Sequence, residues 1–404
     1  MLILKTLYID FFDIVMDKGV PNHGGLNYAK LMSKKIIQYV IQHNLVERYR
    51  IVLLCSSSYV DELNRFKDIE NQHFFSIECI NVPLEKYEFV PESIIFIPLL
   101  PVRKFPLLKK LANLDIKVVI TVHGLRVLDL SYDKYDTYYN QKKVYGILNP
   151  ISKVFLLCKK LLYCYFIRQF LPYANAVITD SNYSLSKITS VTNLNRVWIQ
   201  YPGVEKKNSC LSDINFVDNY ILFVSGNRTE KNLARTLDAY KRYKNNAKNP
   251  LIFKIVGVNK NVQLSLIEKL ELDTLVKEGY VQFYDYVTDE ELNMYYKNAK
   301  FLLYTSKSEG YGLPALEAAK WNCPVVAAYG TSIPEVLEEC AIYVNPYSVE
   351  SICEGMVKME TERYQQYFRE KLLEKVKAID NKVNNSYEKI IENIFELYEE
   401  RQKS

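Results

Sequence analysis

The chain has 404 residues, enough for two or three domains that each bury a hydrophobic core. Hydrophobic residues make up 49% of the chain and charged residues 25%, which excludes a disordered protein, and no apolar run reaches the ~18 residues of a membrane span. The net charge of +5 is too small for a nucleic-acid-binding surface, so we expect no nucleic-acid partner.

The first apolar run, MLILKTLYIDFFDIV, is about the length of a signal peptide. Asp10 and Asp13 interrupt it, and no small-residue cleavage site follows, so we predict a buried strand instead. The eight cysteines include no Cys-x-x-Cys pair, which disfavours a zinc or redox motif. We therefore expect reduced thiols and a cytoplasmic location.

Short β-branched and aromatic runs alternate with longer segments of helical period, which predicts parallel sheets covered by helices on both faces. The first seven predicted strands are 2–9, 51–55, 75–82, 93–98, 117–122, 176–179 and 197–201. The next six are 220–225, 251–257, 281–284, 301–305, 325–328 and 341–344. The fold class is thus α/β, with two Rossmann-like, doubly wound domains facing each other.

The domain boundaries follow from composition. The polar stretch 203–219 has no sustained periodicity and is typical of a linker, so we place an N-terminal domain at 1–202 and a C-terminal domain at 220–380. The end of the chain, 361–404, has the pattern of charged amphipathic helices. The segment 151–171 is apolar and aromatic with interspersed lysines; we favour a helix packed into the first domain, and peripheral contact with a membrane is the alternative.

Three loops carry residues suited to binding an anionic ligand. Gly24 and Gly25 precede a helix in the first domain, where the alternative is an ordinary turn. His123 follows the strand 117–122, at the edge where open α/β sheets bind ligands. Arg228 and Lys231 lie in the loop FVSGNRTEKN, which could clamp a diphosphate or be a solvated basic loop. Because this loop is polar, we expect replacement of Lys231 to leave the fold intact.

The most informative stretch is 301–346, FLLYTSKSEGYGLPALEAAKWNCPVVAAYGTSIPEVLEECAIYVNP. Gly310 and Gly312 leave room for a ligand near the backbone, and the amides of the helix that begins near Pro314 favour an anion. Glu317 lies about one turn into that helix, where its carboxylate could accept hydrogen bonds from a ribose diol. The alternative for Glu317 is an exposed glutamate that interacts with the helix dipole.

SEGYGLPALEAA, followed by Cys323-Pro324-Val325-Val326 and Ser332-Ile333-Pro334-Glu335, resembles the donor-site signature of the retaining GT-B glycosyltransferases of family four, also called glycosyl transferases group 1. The match extends upstream through VQFYDYVTDEELNMYYKNAK, in which Thr288 and Glu291 form a predicted capping box. It covers most of residues 176–346 and, more weakly, the N-terminal half.

The resemblance implies a GT-B fold whose C-terminal helix, within 381–404, crosses back to the first domain. It assigns a role at the donor diphosphate to Arg228 and Lys231, and contact with the donor sugar to His123. Glu309 would bind sugar hydroxyls, and Gly24 and Gly25 would lie on the donor-phosphate or acceptor side. The donor-binding set that we predict is Gly24, Gly25, Gly310, Tyr311, Gly312, Leu313 and Glu317.

The expected activity is transfer of a sugar, with retention, from a nucleotide-diphosphate sugar to a glycan or lipid-linked acceptor in the biosynthesis of a bacterial surface polysaccharide. The chain contains no Asp-x-Asp motif, and a basic clamp can neutralise a pyrophosphate, so we expect neither a metal nor another cofactor. The alternative is a catalytically inactive nucleotide-sugar-binding assembly subunit.

Overall fold

The computed structural model describes residues 4–12, 24–66, 73–100, 105–139, 149–204 and 219–400. The chain divides into two compact units. Unit 1 comprises Met1–Leu125, Cys164–Pro202 and Lys382–Ser404, and unit 2 comprises Arg126–Tyr163 and Gly203–Asn381. Each unit contains one parallel sheet, as the alternation of strand and helix patterns predicts.

Unit 1 is built on a seven-stranded sheet in the order β3-β2-β1-β4-β5-β6-β7, and every pair is parallel. Its strands are β1 (Lys5–Asp10), β2 (Tyr49–Cys55), β3 (Phe75–Cys79), β4 (Ile94–Ile97), β5 (Lys117–Val122), β6 (Ala176–Thr179) and β7 (Val197–Ile199). Its helices include α1 (Gly24–Gln42), α2 (Phe105–Asn113) and α5 (Asn182–Val191). The central strands are buried on both faces, which explains why they are continuous apolar runs.

Unit 2 has a six-stranded parallel sheet in the order β10-β9-β8-β11-β12-β13. The strands are β8 (Tyr220–Val224), β9 (Ile252–Val256), β10 (Val281–Tyr284), β11 (Phe301–Tyr304), β12 (Val325–Ala328) and β13 (Ala341–Val344). The helices are α3 (Arg126–Asp129), α6 (Leu233–Asn246), α7 (Lys260–Leu270), α8 (Asp273–Lys277), α9 (Asp289–Asn298), α10 (Leu313–Lys320), α11 (Ile333–Leu337) and α12 (Val349–Glu360). Thr288 caps α9 in a capping box with Glu291, which confirms that prediction.

Strand order reverses once in each sheet. In unit 1 the reversal lies between β1 and β4, and in unit 2 it lies between β8 and β11. Open α/β sheets bind their ligands in the crevice outside the carboxyl ends of the strands at such a point. The loops that follow β8 and β11 are the two that carry Arg228, Lys231 and Glu309.

The boundary between the units differs from the predicted one. Residues Arg126–Tyr163 group with unit 2, although the predicted N-terminal domain of 1–202 includes them. The physical reason is a set of ion pairs and hydrogen bonds between the 3₁₀ helix Lys134–Tyr139, with its flanking residues, and α6 and α7. The predicted linker, 203–219, lies outside the described residues except at 203, 204 and 219.

The end of the chain is one helix, α13 (Glu362–Glu396), rather than the several helices that its charged sequence suggests. Its last turns pack within unit 1, where Ile390 and Ile394 are buried and the ring of Phe395 lies 4.4 Å from that of Tyr49. Beyond the helix, the hydroxyl of Tyr398 donates to the carbonyl of Thr6 at 2.5 Å. The final helix therefore contributes to the core of unit 1.

Helix α4 (Asn149–Phe170) contains the apolar segment 151–171. The expectation that its apolar face packs into the first domain is wrong for most of its length. Ile167 and Phe170 are buried, but six large apolar side chains between 154 and 165 are exposed. Within the part of the chain that the structure describes, no helix is long and apolar enough to cross a bilayer.

Candidate functional site

The loop after β8 contains two cations in different environments. It ends in a 3₁₀ turn, Thr229–Lys231, and Asn232 follows with a positive φ of 68°. The side chain of Arg228 is 51% exposed, and its Nε lies 3.3 Å from Glu230 Oε1. The side chain of Lys231 is only 5% exposed. Lys231 is therefore not a solvated loop residue, and because it is buried we expect its replacement to destabilise the fold.

Lys231 is paired with Glu309, which follows β11 in the neighbouring loop. Lys231 Nζ donates to Glu309 Oε1 at 2.6 Å, and the ammonium also lies 5.7 Å from the ring centre of Tyr304. Burial alone would raise the pKa of Glu309, but the charge and hydrogen bond of Lys231, with a hydrogen bond from Ser306, hold the pKa below its usual value. Glu309 is thus an ionised carboxylate, fixed by a buried cation.

The glycine loop is held in place by the start of α11. Ser332 Oγ donates to the carbonyl oxygens of Glu309, at 3.1 Å, and Tyr311, at 2.8 Å. The backbone amide of Glu309 donates to Thr331 Oγ1 at 3.2 Å. Gly312 is the N-cap of α10 with a φ of 113°, a left-handed conformation that favours glycine. The first amide of α10, at Leu313, therefore lies four residues after Glu309 in a loop that these hydrogen bonds hold.

Of the remaining predicted donor residues in this loop, Tyr311 is buried, while Gly310 and Leu313 are half-buried. Glu317 lies one turn into α10, where its carboxylate accepts a hydrogen bond from the buried hydroxyl of Tyr296 at 2.8 Å. Burial raises the pKa of Glu317, and the Tyr296 hydrogen bond and the charge of Lys231 offset only part of that rise. Glu317 is therefore not the exposed first-turn glutamate of the alternative interpretation.

A second set of buried charges lies directly before the glycine loop, and the sequence analysis did not identify it. Lys307 is buried, and its Nζ lies 3.0 Å from Asp133 and 2.5 Å from Asp136. Arg235, on α6, forms a two-pronged ion pair with Asp133 at 2.8 Å for each nitrogen. Burial would raise the pKa of Asp133, but Arg235 and Lys307 outweigh it and lower the pKa.

The segment that supplies these aspartates contacts the glycine loop at a further point. Ser308 Oγ donates to Asp129 Oδ2 at 2.8 Å. Arg126 Nη1 donates to Glu230 Oε1 at 2.6 Å, the same oxygen that Arg228 approaches. Residues 126–136 thus fix both loops of unit 2 through charged side chains. The alternating acidic and aromatic sequence YDKYDTYY was the signal that could have marked this segment.

The predicted His123 lies at the carboxyl edge of the unit 1 sheet, where it follows β5, and Asp180 follows the neighbouring strand β6. His123 Nδ1 lies 2.9 Å from Asp180 Oδ2, and His123 Nε2 lies 3.0 Å from the carbonyl oxygen of Pro98. Both neighbours are hydrogen-bond acceptors, and the ring can donate to both only as an imidazolium. The Tyr28 ring packs edge-on against the imidazole at 4.7 Å. Asp180 is a positioning partner that sequence reasoning missed.

The two predicted glycines begin α1, but they differ in their surroundings. A Cβ atom added to Gly24 would meet nothing within 4 Å, whereas one added to Gly25 would clash with the side chain of Leu99. Packing therefore explains why Gly25 is glycine. No packing contact explains Gly24.

A comparison with known families matches residues 212–378 to the glycosyl transferases group 1. The part of the chain that carries the SEGYGLPALEAA signature therefore matches the family that the signature predicts. The chain is 28% identical, over 210 residues, to the O-antigen chain mannosyltransferase B of Escherichia coli, a match that covers 46% of this chain and 51% of that protein. The chain thus matches about half the length of this curated relative.

Two solved structures have the same fold. The sucrose-phosphate synthase of Thermosynechococcus elongatus superposes with a TM-score of 0.62 at 13% identity, covering 98% of each chain. The Anabaena protein HepE, solved in complex with UDP and glucose, superposes with a TM-score of 0.59 at 14% identity, covering 97% of this chain and 100% of HepE. The two Rossmann-like sheets therefore have the GT-B fold, which confirms the predicted fold class.

Proposed function

We propose that this chain is a retaining glycosyltransferase that moves a hexose from a nucleotide-diphosphate sugar to a glycan or lipid-linked acceptor in the biosynthesis of a bacterial surface polysaccharide. The observation that carries the proposal is the buried Lys231–Glu309 pair at the switch point of the unit 2 sheet, within the residues that match the family. The similarity to an O-antigen mannosyltransferase favours mannose as the transferred sugar.

Lys231 is suited to stabilise a leaving diphosphate because it is a preorganised positive charge in a site of low exposure. The amides at the start of α10 add partial positive charge, and the exposed Arg228 can turn toward a phosphate. These groups meet the charge that develops as the bond to the anomeric carbon breaks. We therefore propose that the reaction needs no metal ion.

The remaining residues would position the donor and the acceptor. We assign the ribose diol to Glu317, whose carboxylate is oriented by Tyr296, and the sugar hydroxyls to Glu309. In unit 1 we assign Gly24 and Gly25 to the phosphate or acceptor side, and His123 to the sugar. Since Glu309 is committed to Lys231, a covalent glycosyl-enzyme is disfavoured, and we propose attack on the same face as the departing diphosphate.

The test is release of free nucleotide from a panel of nucleotide sugars carrying mannose, glucose, galactose or N-acetylglucosamine, with and without a lipid-linked acceptor extract. We expect release that requires acceptor, persists in EDTA and yields an α-linked product from an α-linked donor. An inactive assembly subunit would bind a donor in a thermal-shift assay but release no nucleotide, and that result would overturn the proposal. Loss of release in EDTA, restored by Mg²⁺, would overturn only metal independence.

We also propose that the protein acts in the cytoplasm, where nucleotide sugars are made. The contact with the membrane that the sequence left open concerns helix α4 and is independent of the donor site.

A further inference from the structure

Helix α4 carries several large apolar side chains that are exposed. Six large apolar side chains within twelve positions have exposed fractions of 57% to 70%: Val154, Phe155, Leu157, Leu161, Leu162 and Tyr165. Single exposed apolar residues are normal on protein surfaces, but a contiguous set marks an interaction site. The face therefore needs a partner that covers it.

Helical geometry places the six side chains on one side. At about 100° per residue, Val154, Leu161 and Tyr165 lie within about 20° of a common line, and Leu157 and Phe155 mark the two margins. The opposite side of the helix is the one that packs, since Ile167 and Phe170 are fully buried. α4 is thus apolar on two sides, and the residues that the structure describes cover only one of them.

Charge identifies the partner. The helix carries four basic residues, Lys153, Lys159, Lys160 and Arg168, and no aspartate or glutamate. Lys153 and Lys159 are exposed, and each lies about 120° from the centre of the apolar face, one on either side. Lys160 and Arg168 donate to backbone carbonyls of Leu128 and Val191. An apolar face flanked by lysines is the pattern of a helix that lies in a membrane interface.

A second copy of this chain fits the face less well than a lipid surface does. Pairing two α4 helices through their apolar faces would bring the lysine margins of both copies together, and neither helix offers a carboxylate. Anionic headgroups provide the missing negative charge, and acyl chains accept the apolar side chains. The inner leaflet of a bacterial membrane has both.

We propose that α4 binds an anionic lipid membrane, with the six apolar side chains inserted at the boundary between headgroups and acyl chains and with Lys153 and Lys159 at the headgroups. The helix would lie along the membrane surface, because its apolar sequence is not long enough to cross the bilayer. This proposal stands on α4 alone and does not depend on the glycosyltransferase assignment.

The test is flotation of the full chain with vesicles of phosphatidylcholine alone and with vesicles that also contain phosphatidylglycerol. We expect binding to the anionic vesicles and weakening in high salt. The double variant Phe155→Ser, Leu162→Ser should bind the anionic vesicles at least about tenfold more weakly than the wild type, because two inserted side chains are lost. Leu264→Ser with Leu373→Ser is the matched control; both leucines are exposed on other helices, and we expect binding to be unchanged.

A second pair of variants tests the role of charge. The double variant Lys153→Glu, Lys159→Glu removes the lysines that flank the apolar face. Its control is Lys248→Glu, Lys277→Glu, which changes the net charge by the same amount at exposed positions elsewhere. Only the first of these two double variants should weaken binding. If both double variants lost vesicle binding equally, the effect would be one of net charge alone, and the proposed binding face on α4 would be overturned. A wild-type dimer that the Phe155→Ser, Leu162→Ser variant converts to a monomer, with no vesicle binding by either, would assign the face to a second copy and overturn the proposal.

Discussion

The carboxyl edges of the two parallel sheets carry charged pairs that differ in their electrostatics. In unit 2 the site pair is a lysine and a carboxylate whose side chains are 5% and 12% exposed. In unit 1 it is His123, 26% exposed, with Asp180 at 6%. The first pair is a charge pair that the fold encloses, whereas the second contains an imidazole ring that is partly exposed. The comparison teaches that two parallel sheets of the same class can carry a fully enclosed pair at one carboxyl edge and a more accessible one at the other.

The largest expected effect is that of Lys231→Met. Removing the lysine leaves Glu309 buried without its cation, which should lower the free energy of unfolding by about 3–5 kcal/mol. Loss of the preorganised charge should reduce kcat/KM by about 10² to 10³. Guanidinium denaturation and steady-state kinetics measure the two quantities.

The double variant Lys231→Met, Glu309→Gln separates those effects. It removes both charges, so most of the lost stability should return while kcat/KM stays low. A single variant as stable as the wild type would show that the enclosed pair does not support the fold, and the contrast between the two edges would then disappear.

Asp180→Asn should have a smaller effect on stability. The amide still occupies the position beside His123 Nδ1, so we expect a loss of about 1–2 kcal/mol from weakening one charge-assisted hydrogen bond. kcat should fall more than KM rises if the ring orientation matters for turnover. A loss of stability equal to that of Lys231→Met would contradict the difference between the two edges.

The carboxylates of Glu317, in α10, and Glu309, in the loop before it, should change the pH dependence of protein stability with opposite signs. The pKa of Glu317 is raised in the folded state, so its wild-type contribution to stability is lost as the pH rises above about 4.5, the usual value. Glu317→Gln should therefore gain stability over the wild type as the pH rises through that window. The pKa of Glu309 is lowered, so its contribution is present above about 4.5 and is lost as the pH falls below it.

Glu309→Gln should accordingly lose stability relative to the wild type above that pH. Thermal unfolding of both variants and the wild type between about pH 2 and 7 provides the comparison, because the Glu309 window lies below its usual pKa. Parallel curves for the two variants would show that the environments of the carboxylates are alike.

The smallest effect on stability is expected for Gly24→Ala. An added Cβ meets no atom within 4 Å, so the free energy of unfolding should change by no more than about 0.5 kcal/mol. If a ligand approaches this position, the donor or acceptor KM should rise nevertheless. Gly25→Ala is the matched variant, in which displacement of Leu99 should lower stability; equal stability of the two variants would contradict the packing difference at the start of α1.

The strands of both sheets could be predicted from the sequence because short runs of neighbouring residues determine where a strand forms. Runs of β-branched residues such as Lys117–Val122 and Ala176–Thr179 fix strand positions without reference to distant residues, and both strands begin and end as predicted. The glycine loop before α10 was equally readable, since Gly310, Gly312 and Pro314 carry local backbone signals.

The buried charges could not be predicted because their partners are far apart in sequence. Asp133 and Lys307 are 174 residues apart, and Arg235 is 102 residues from Asp133. Neither hydrophobic period nor composition connects such positions. Lys231 likewise lies in a polar stretch, and only the surrounding loops make it a buried residue.

The buried position of Lys307 has a consequence for synthesis on the ribosome. Asp133 leaves the ribosome 174 residues before Lys307, and at about 5–20 residues per second this separation amounts to about 9 to 35 s. For the first 102 of those residues, until Arg235 is also synthesised, Asp133 lacks both of its cationic partners. A nascent chain must therefore tolerate an undocked acidic and aromatic stretch, and expressing residues 220–381 alone would leave Lys307 and Arg235 without the carboxylate that both of them contact.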